Sequence, residues 1–390
     1  MTNNRTMQAG RTRGAEPGSL KKYDPWLVGT IAVMLSLGAV MVYSATIAGD
    51  KKTLNINYDT LTKHLTHIGL GFGFLVVVSF IKIEWLQAWS KKLLLLGLLL
   101  LAIVLVPGIG IEVNGSMRWF SVMGLRFQPS EFVKIASIIY FADYLSRKRD
   151  DLHLFKVGIV NIGLVVGTIG LLLILEPDFG TTVVVTATAG CMMFLAGVRF
   201  WHFILSSTVA IGLMAGILVM APYRLNRLLS FQNPWADPFQ SGFQLSQSLI
   251  AIGRGEWFGV GLGGSIQKLF YLPHAGNDFL VAIIGEELGA VGILFVLILF
   301  SVFLCRTFHI ASQAFLQNQR FAGFLAQGIG LLFALQASVH IGVNIGVLPT
   351  KGLTLPFMSY GGSSMVTDML AIGVLLAIDK QCRVNSGRPR

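Results

Sequence analysis

Carboxylates inside an apolar run are the first feature of this sequence that could do chemistry. The stretch YLPHAGNDFLVAIIGEELG, residues 271–289, reads like the start of a membrane span, yet Asp278 stands at its mouth and Glu286 and Glu287 follow about two turns further in. Ionised groups at such depth are costly and imply a partner or a function. A carboxylate at a lipid boundary is partly desolvated, which moves it toward the range of a useful general base. Asp278 has that position, directly after Pro273, His274 and Gly276. It reads equally as the N-cap of the helix that follows. On one straight helix Glu286 lies about 80° round from Asp278 and Glu287 about 180°, with an axial offset of about 12 Å. A two-carboxylate glycosidase pair needs about 5–10 Å. The glutamates are therefore not catalytic partners of Asp278, and their ordinary role is to pair with a basic or polar group on a neighbouring span.

Four other segments offer polar side chains. The turn Glu176-Pro177-Asp178-Phe179-Gly180-Thr181 holds two carboxylates; Asp178 reads as a helix cap, or both line a polar cavity or bind a cation. Residues 114–120, NGSMRWF, and 128–134, QPSEFVK, supply Arg118 and Lys134. These suit phosphate contact, although Lys134 is also placed to pair with Glu131 at i−3 and Arg118 to anchor at the interface. Residues 349–364, PTKGLTLPFMSYGGSS, combine irregular backbone with the donors Lys351, Ser359 and Ser363, which suit an anionic headgroup. His340 and Asn344, at i and i+4, read as an interhelical hydrogen-bond site rather than metal ligands. No Walker, GxSxG or HExxH pattern occurs, so nucleotide-driven pumping and serine or zinc hydrolysis lack support.

These residues need a membrane scaffold to hold them. The chain of 390 residues is 54% hydrophobic and only 13% charged, with mean hydropathy +0.68. Soluble domains carry about 25% charged residues, so the expected fold is an all-α polytopic membrane protein. Apolar runs place ten spans at 26–46, 65–82, 92–110, 132–146, 157–175, 180–197, 201–220, 279–304, 321–346 and 360–379. A polar tail, 1–25, precedes a membrane domain, 26–379, and a short tail, 380–390, ends the chain. Lys and Arg crowd the loops on the side of both termini, which assigns that side to the cytoplasm. The net charge of +11 is explained by this bias and by membrane lipid, not by nucleic acid. The long outer loop 221–277 is Gly-rich and basic, with Arg224, Arg227, Arg254 and Lys268, and its stretch Leu245–Ile252 is apolar enough to lie along the membrane surface. Cys191, Cys305 and Cys382 show no metal or disulfide spacing.

Taken in order, NGSMRWF with QPSEFVK, LEPDFGTT, YLPHAGNDFLVAIIGEELG and LPTKGLTLPFMSYGGSSM resemble the SEDS family (shape, elongation, division and sporulation). The form PTKGLTLPFMSYGGSS is most similar to its division members. The resemblance implies a ten-span bacterial inner-membrane glycosyltransferase at the division septum. It would polymerise lipid II onto a growing glycan strand, alongside a class B penicillin-binding protein and other divisome proteins. A lipid II flippase and a non-catalytic scaffold for the transpeptidase are the alternatives. The family's essential aspartate falls on Asp278. The usual local pattern is nearer PEAHTDF, so His274, Gly276 and Asn277 depart from it, and Phe270 stands where some members are acidic. With Asp278 as base, one inverting displacement joins the sugars. Arg118, Lys134, Lys351 and Arg224 are then candidates for the leaving pyrophosphate, with Ser359 and Ser363 as further substrate contacts. Glu176, Asp178, Glu286 and Glu287 would be structural or cavity-lining. A divalent cation, Mg or Mn, is compatible with this chemistry, without a legible site; no organic cofactor is expected.

Overall fold

The computed structural model describes residues 23–46, 58–113, 116–122, 125–219, 230–240, 242–269, 271–273 and 275–386. Arg224, Arg227, Phe270 and His274 lie outside the described residues. Lipid offers the backbone no hydrogen-bond partners, so apolar segments that enter it must satisfy themselves as helices. Every expected span falls on one. They are α1 (Pro25–Thr46), α2 (Tyr58–Ser79), α3 (Ile83–Val104), α4 (Pro129–Lys148), α5 (Asn161–Leu175, led in by a π turn at Lys156–Val160), α6 (Phe179–Leu195) and α7 (Phe200–Val219). After the outer loop come α9 (Leu280–Leu316), α10 (Arg320–Asn344) and α11 (Gly362–Ser386); α8 (Phe243–Gly255) lies within the loop. Seven helices are long and apolar enough to cross a membrane, and α6 and α7 are apolar but shorter.

α4 fails that hydropathy test for a physical reason. It carries Glu131, Lys134 and Asp143, but neighbouring helices α3, α6 and α10 shield it, and most of its side chains are buried in protein rather than lipid. The same logic ranks the others. The most apolar window of α11 is 83% buried, that of α2 only 17%, so α11 is central and α2 faces lipid. The third outer connection adds a small feature not expected in an all-α chain. It is an antiparallel meander of β1 (Ile111–Val113), β2 (Ser116–Val122) and β3 (Leu125–Phe127), in the order β1-β2-β3.

The outer loop adds packing that the sequence did not show. α8 packs on the start of α9 so closely that a β-carbon on Gly255 would collide with the Gly285 carbonyl. Ser248 Oγ also donates to the Asn344 carbonyl at 2.8 Å. The expected single span 279–304 is in fact two helical pieces. Gly289 adopts φ 69°, a left-handed value that suits glycine, and breaks α9 into a half-helix of nine residues, 280–288, and a long arm, 290–316. The loop mends the break. Val260 and Gly261 donate their amides to the carbonyls of Glu286 and Glu287 at 3.0 and 3.1 Å, and the amides of Ala290 and Val291 reach the carbonyls of Glu256 and Trp257 at 2.9 and 3.1 Å. Backbone at this depth is tolerated only when so satisfied. The glycines of GRGEWFG permit the approach, since a β-carbon on Gly259 would strike the Glu287 carbonyl.

At the opposite end of the bundle from Asp278, Asp24 ties three helices together. Its amide donates to Asp379 Oδ2 on α11 at 2.7 Å, and its carboxylate accepts from Arg306 on α9 and lies 3.8 Å from Arg383. Burial works against the charge on Asp24, but Arg306 and the amides of Leu27 and Trp26 outweigh it and hold the carboxyl below its usual range.

Candidate active site

Asp278 sits in a turn, half-buried, immediately before the half-helix. It is not the cap residue. The helix starts after Phe279, whose side chain makes no capping bond. The cap comes from α10: Asn344 Oδ1 accepts the Ala282 amide at 3.0 Å, and Asn344 Nδ2 donates to the carbonyls of Asp278 at 3.0 Å and His340 at 2.8 Å. His340 Nδ1 bonds the Leu353 carbonyl at 2.6 Å. The pair at i and i+4 is thus an interhelical hydrogen-bond site, as its spacing suggests.

The irregular segment before α11 folds against Asp278. A β-carbon on Gly352 would stand 3.1 Å from Asp278 Oδ2, so the backbone beside Lys351 abuts the carboxylate. Ser359 Oγ donates to the Asn277 carbonyl at 2.7 Å and accepts the Leu355 amide at 3.0 Å, while the Tyr360 amide reaches the Gly276 carbonyl at 2.9 Å. Ser359 therefore holds the two segments together rather than facing a ligand. Ser363 acts likewise, accepting the Gln128 amide at 2.9 Å and donating to the Arg126 carbonyl at 3.0 Å.

The turn between α5 and α6 closes the other side. Lys351 Nζ lies 4.1 Å over the Phe179 ring, and a β-carbon on Gly180 would touch Leu353 at 3.3 Å. Asp178 caps α6, accepting the Thr181 amide at 3.1 Å and the Thr181 hydroxyl at 2.8 Å. Arg118 reaches across from β2, with Nε donating to the Glu176 carbonyl and Nη2 to the Pro177 carbonyl, both at 2.7 Å. Glu176 itself is fully buried, and neither carboxylate oxygen has a hydrogen-bond partner among the described residues. Burial, then the nearby Asp178, push it up to about 8 against the pull of Arg118. Arg118, Glu176, Asp178, Lys351 and Asp278 thus belong to segments that pack against one another.

Lys134 is not on their surface. Its ammonium is buried, 2.8 Å from Glu131 and 3.2 Å from Gln336 Oε1; Gln336 Nε2 in turn donates to the Thr354 carbonyl at 3.1 Å. It supports the floor under the 349–361 segment, so it is an internal pair rather than an exposed phosphate contact. Asp368, buried close to Lys134 and Glu131 and accepting the Phe357 amide at 3.3 Å, was missed by the sequence reading. A charged residue inside a span is a signal in itself, and Asp368 carried it.

Glu286 and Glu287 turn away into a dense network. Glu286 accepts from Arg254 Nη1 at 2.7 Å, from Ser265 Oγ and from the Ile266 amide at 2.9 Å. Glu287 accepts from Lys268 Nζ at 2.8 Å and from Ser44 Oγ of α1 at 2.7 Å. Among the described residues no group of three or more His, Cys, Asp and Glu side chains converges as a metal site.

A family model described as Cell cycle protein, covering FtsW, RodA and SpoVE, matches residues 25–384. This chain belongs to the FtsW/RodA/SpoVE family. A probable peptidoglycan glycosyltransferase FtsW of Nitrosococcus halophilus is 45% identical over 376 residues, 95% of this chain and 96% of the relative. A protein of the same description from Coxiella burnetii is 46% identical over 356 residues, 91% and 96% of the two chains. Among solved structures, a chain from work on a peptidoglycan synthase complex that coordinates polymerisation and crosslinking aligns with TM-score 0.77 at 28% identity, over 92% of this chain and 98% of that one. The rod shape determining protein RodA of Thermus thermophilus aligns with TM-score 0.66 at 26% identity, over 92% and 97%. Like its relatives, this FtsW/RodA/SpoVE chain is a multi-pass membrane protein.

Proposed function

We propose that this protein is a peptidoglycan glycosyltransferase that polymerises lipid II at the division septum, with Asp278 as general base. The observation that carries the reading is the placement of Asp278: it lies half-buried at the mouth of the half-helix, with its carboxylate against the Gly352 backbone beside Lys351, while Glu286 and Glu287 are held in ion pairs and Asp178 caps a helix. A single general base suits an inverting displacement. The donor sugar is α-linked to polyprenyl pyrophosphate and the product bond is β-1,4. Asp278 takes the proton of the acceptor 4-hydroxyl as that oxygen attacks the donor C1, and the C1–pyrophosphate bond breaks. Lys351 supplies positive charge for the leaving group, with Arg224 from the outer loop. Arg118 builds the rim by gripping the Glu176–Pro177 turn. The relatives' names and the match to a synthase complex support this activity and a class B penicillin-binding protein as partner. The distribution of Lys and Arg supports cytoplasmic termini. Purified wild type and Asp278→Asn, each given lipid II and the cognate transpeptidase, test the reading. Glycan strands from the wild type and none from a folded variant are expected; normal polymer from Asp278→Asn removes the assignment.

A further inference from the structure

Buried ion pairs seldom stabilise a fold more than well-packed apolar groups would, because two charges must be taken out of water. The pair between Lys268 and Glu287 is as buried as any in the molecule. The side chains are 2% and 0% exposed and their atoms approach to 2.8 Å. Lys268 Nζ also donates to Ser44 Oγ at 3.0 Å, and Ser44 Oγ to Glu287, so α1, the outer loop and the half-helix meet at one point. That point lies two residues from the break at Gly289, at the far end of the half-helix from Asp278.

We propose that the Lys268–Glu287 pair, with Ser44, is a positioning device for Asp278: it fixes the tilt of the broken half-helix whose other end carries the base. The inference rests on Asp278 being that base. The half-helix is separated from the long arm by the non-helical Gly289 and from the preceding chain by the turn at Asp278, so covalent continuity does not fix its direction. Side chains must. Asn344 pins one end and the Lys268–Glu287–Ser44 cluster the other. Nine residues make a rod about 13 Å long. A tilt of about 5° about one end moves the other by about 1 Å, a displacement of the size that costs about 100-fold in rate when it misplaces a reacting group. Uncharged packing would fill the space equally well; the directional bonds of an ion pair also fix the angle.

The experiment uses the full chain with its transpeptidase and lipid II, and compares Lys268→Met, Glu287→Gln and the double variant. Each single change strands a buried polar group and lowers both Tm and polymerisation. The double change removes both charges at similar volume, and Tm returns to within about 3 °C of wild type. Its kcat is expected to stay about tenfold low, with KM for lipid II changed less than about twofold. Recovery of kcat together with Tm overturns the inference, since the pair would then be scaffolding alone. If the double variant does not regain its Tm, Ser44→Ala, which removes one neutral arm of the cluster, decides the matter: wild-type kcat in it overturns the inference and a lowered kcat at wild-type Tm supports it. Asp278→Asn in the same assay separates the two claims. Polymer from it withdraws the base assignment, whereas a dead Asp278→Asn beside a fully active double variant withdraws only the positioning role.

Discussion

Asn344 holds Asp278 by its backbone: the side-chain Nδ2 donates to the Asp278 carbonyl at 3.0 Å while Oδ1 of the same group accepts the Ala282 amide. One buried amide on α10 thus spans the turn and the first turn of the half-helix, and it sets where the carboxylate begins its reach.

Asn344→Asp keeps the acceptor for Ala282 and loses both donors. Stability is expected to fall by about 1–3 kcal/mol, the cost of unsatisfied buried groups. Polymerisation should fall about 10- to 100-fold in kcat because the turn at Asp278 is released. Thermal unfolding in detergent and a lipid II polymerisation assay measure the two effects; full activity would show that Asp278 is held by other means.

Glu176 gives a pH signature. Its carboxyl ordinarily titrates near 4.5 and is raised to about 8 in the folded protein, chiefly by burial. Between those values the folded state holds a proton that the unfolded state has lost, so this contribution to stability is full below pH 4.5 and declines as pH rises to about 8. Glu176→Gln keeps the shape without the titration. Its Tm should match wild type near pH 5 and exceed it near pH 9, and parallel Tm curves for the two proteins would exclude the effect.

Gly289→Ala puts a side chain on a left-handed residue and against the Trp257 carbonyl. Destabilisation of about 1–3 kcal/mol is expected from the backbone strain alone, with the added collision opening the seam between loop and helix. Faster protease cleavage within 256–262 in intact membranes would report that opening, and unchanged cleavage would refute it.

Asp24→Asn should destabilise the far end of the bundle without altering lipid II kinetics. Removing one partner of a buried ion pair costs about 3–5 kcal/mol, and the partial exposure of Arg306 places this case at the lower end. Because the Asp24 carboxyl is held below its usual value, its contribution is present above pH 3.8 and lost as pH falls through its folded value. The Tm gap between wild type and variant should therefore narrow in acid.

The sequence made the bundle legible because hydropathy reports directly on what lipid demands. Each expected span falls on helix, the one at 279–304 on two pieces, and α4 is among them although its charges lower its hydropathy. Asp278, Lys351, Glu176 and Arg118 were picked out by residue type near span ends, and they come together through segments distant in sequence. What the sequence did not show was who bonds to whom. Lys134 was offered to phosphate because a lysine at a span end usually faces water, yet Glu131 and Gln336 hold it inside. The partners of Glu287, Ser44 and Lys268, are 243 and 19 residues away, and no local pattern announces them. The helix arithmetic that separated Asp278 from the glutamates assumed one straight helix through 278–287. Its conclusion stands on different grounds, because Asp278 precedes the helix and both glutamates are held by other groups.

The seam at Gly289 also orders events during biogenesis. Residues 279–304 form one largely apolar run in spite of Glu286 and Glu287, and an insertion machinery that responds to hydropathy meets them as one membrane-crossing unit. Nothing local forces the break; the hydrogen bonds that replace the lost helical ones come from residues 256–261. That segment precedes the half-helix in the chain, so the bonds across Gly289 form only when the loop folds back on the helix. Loop and half-helix are thus one folding unit, since neither has its backbone groups satisfied at the break without the other.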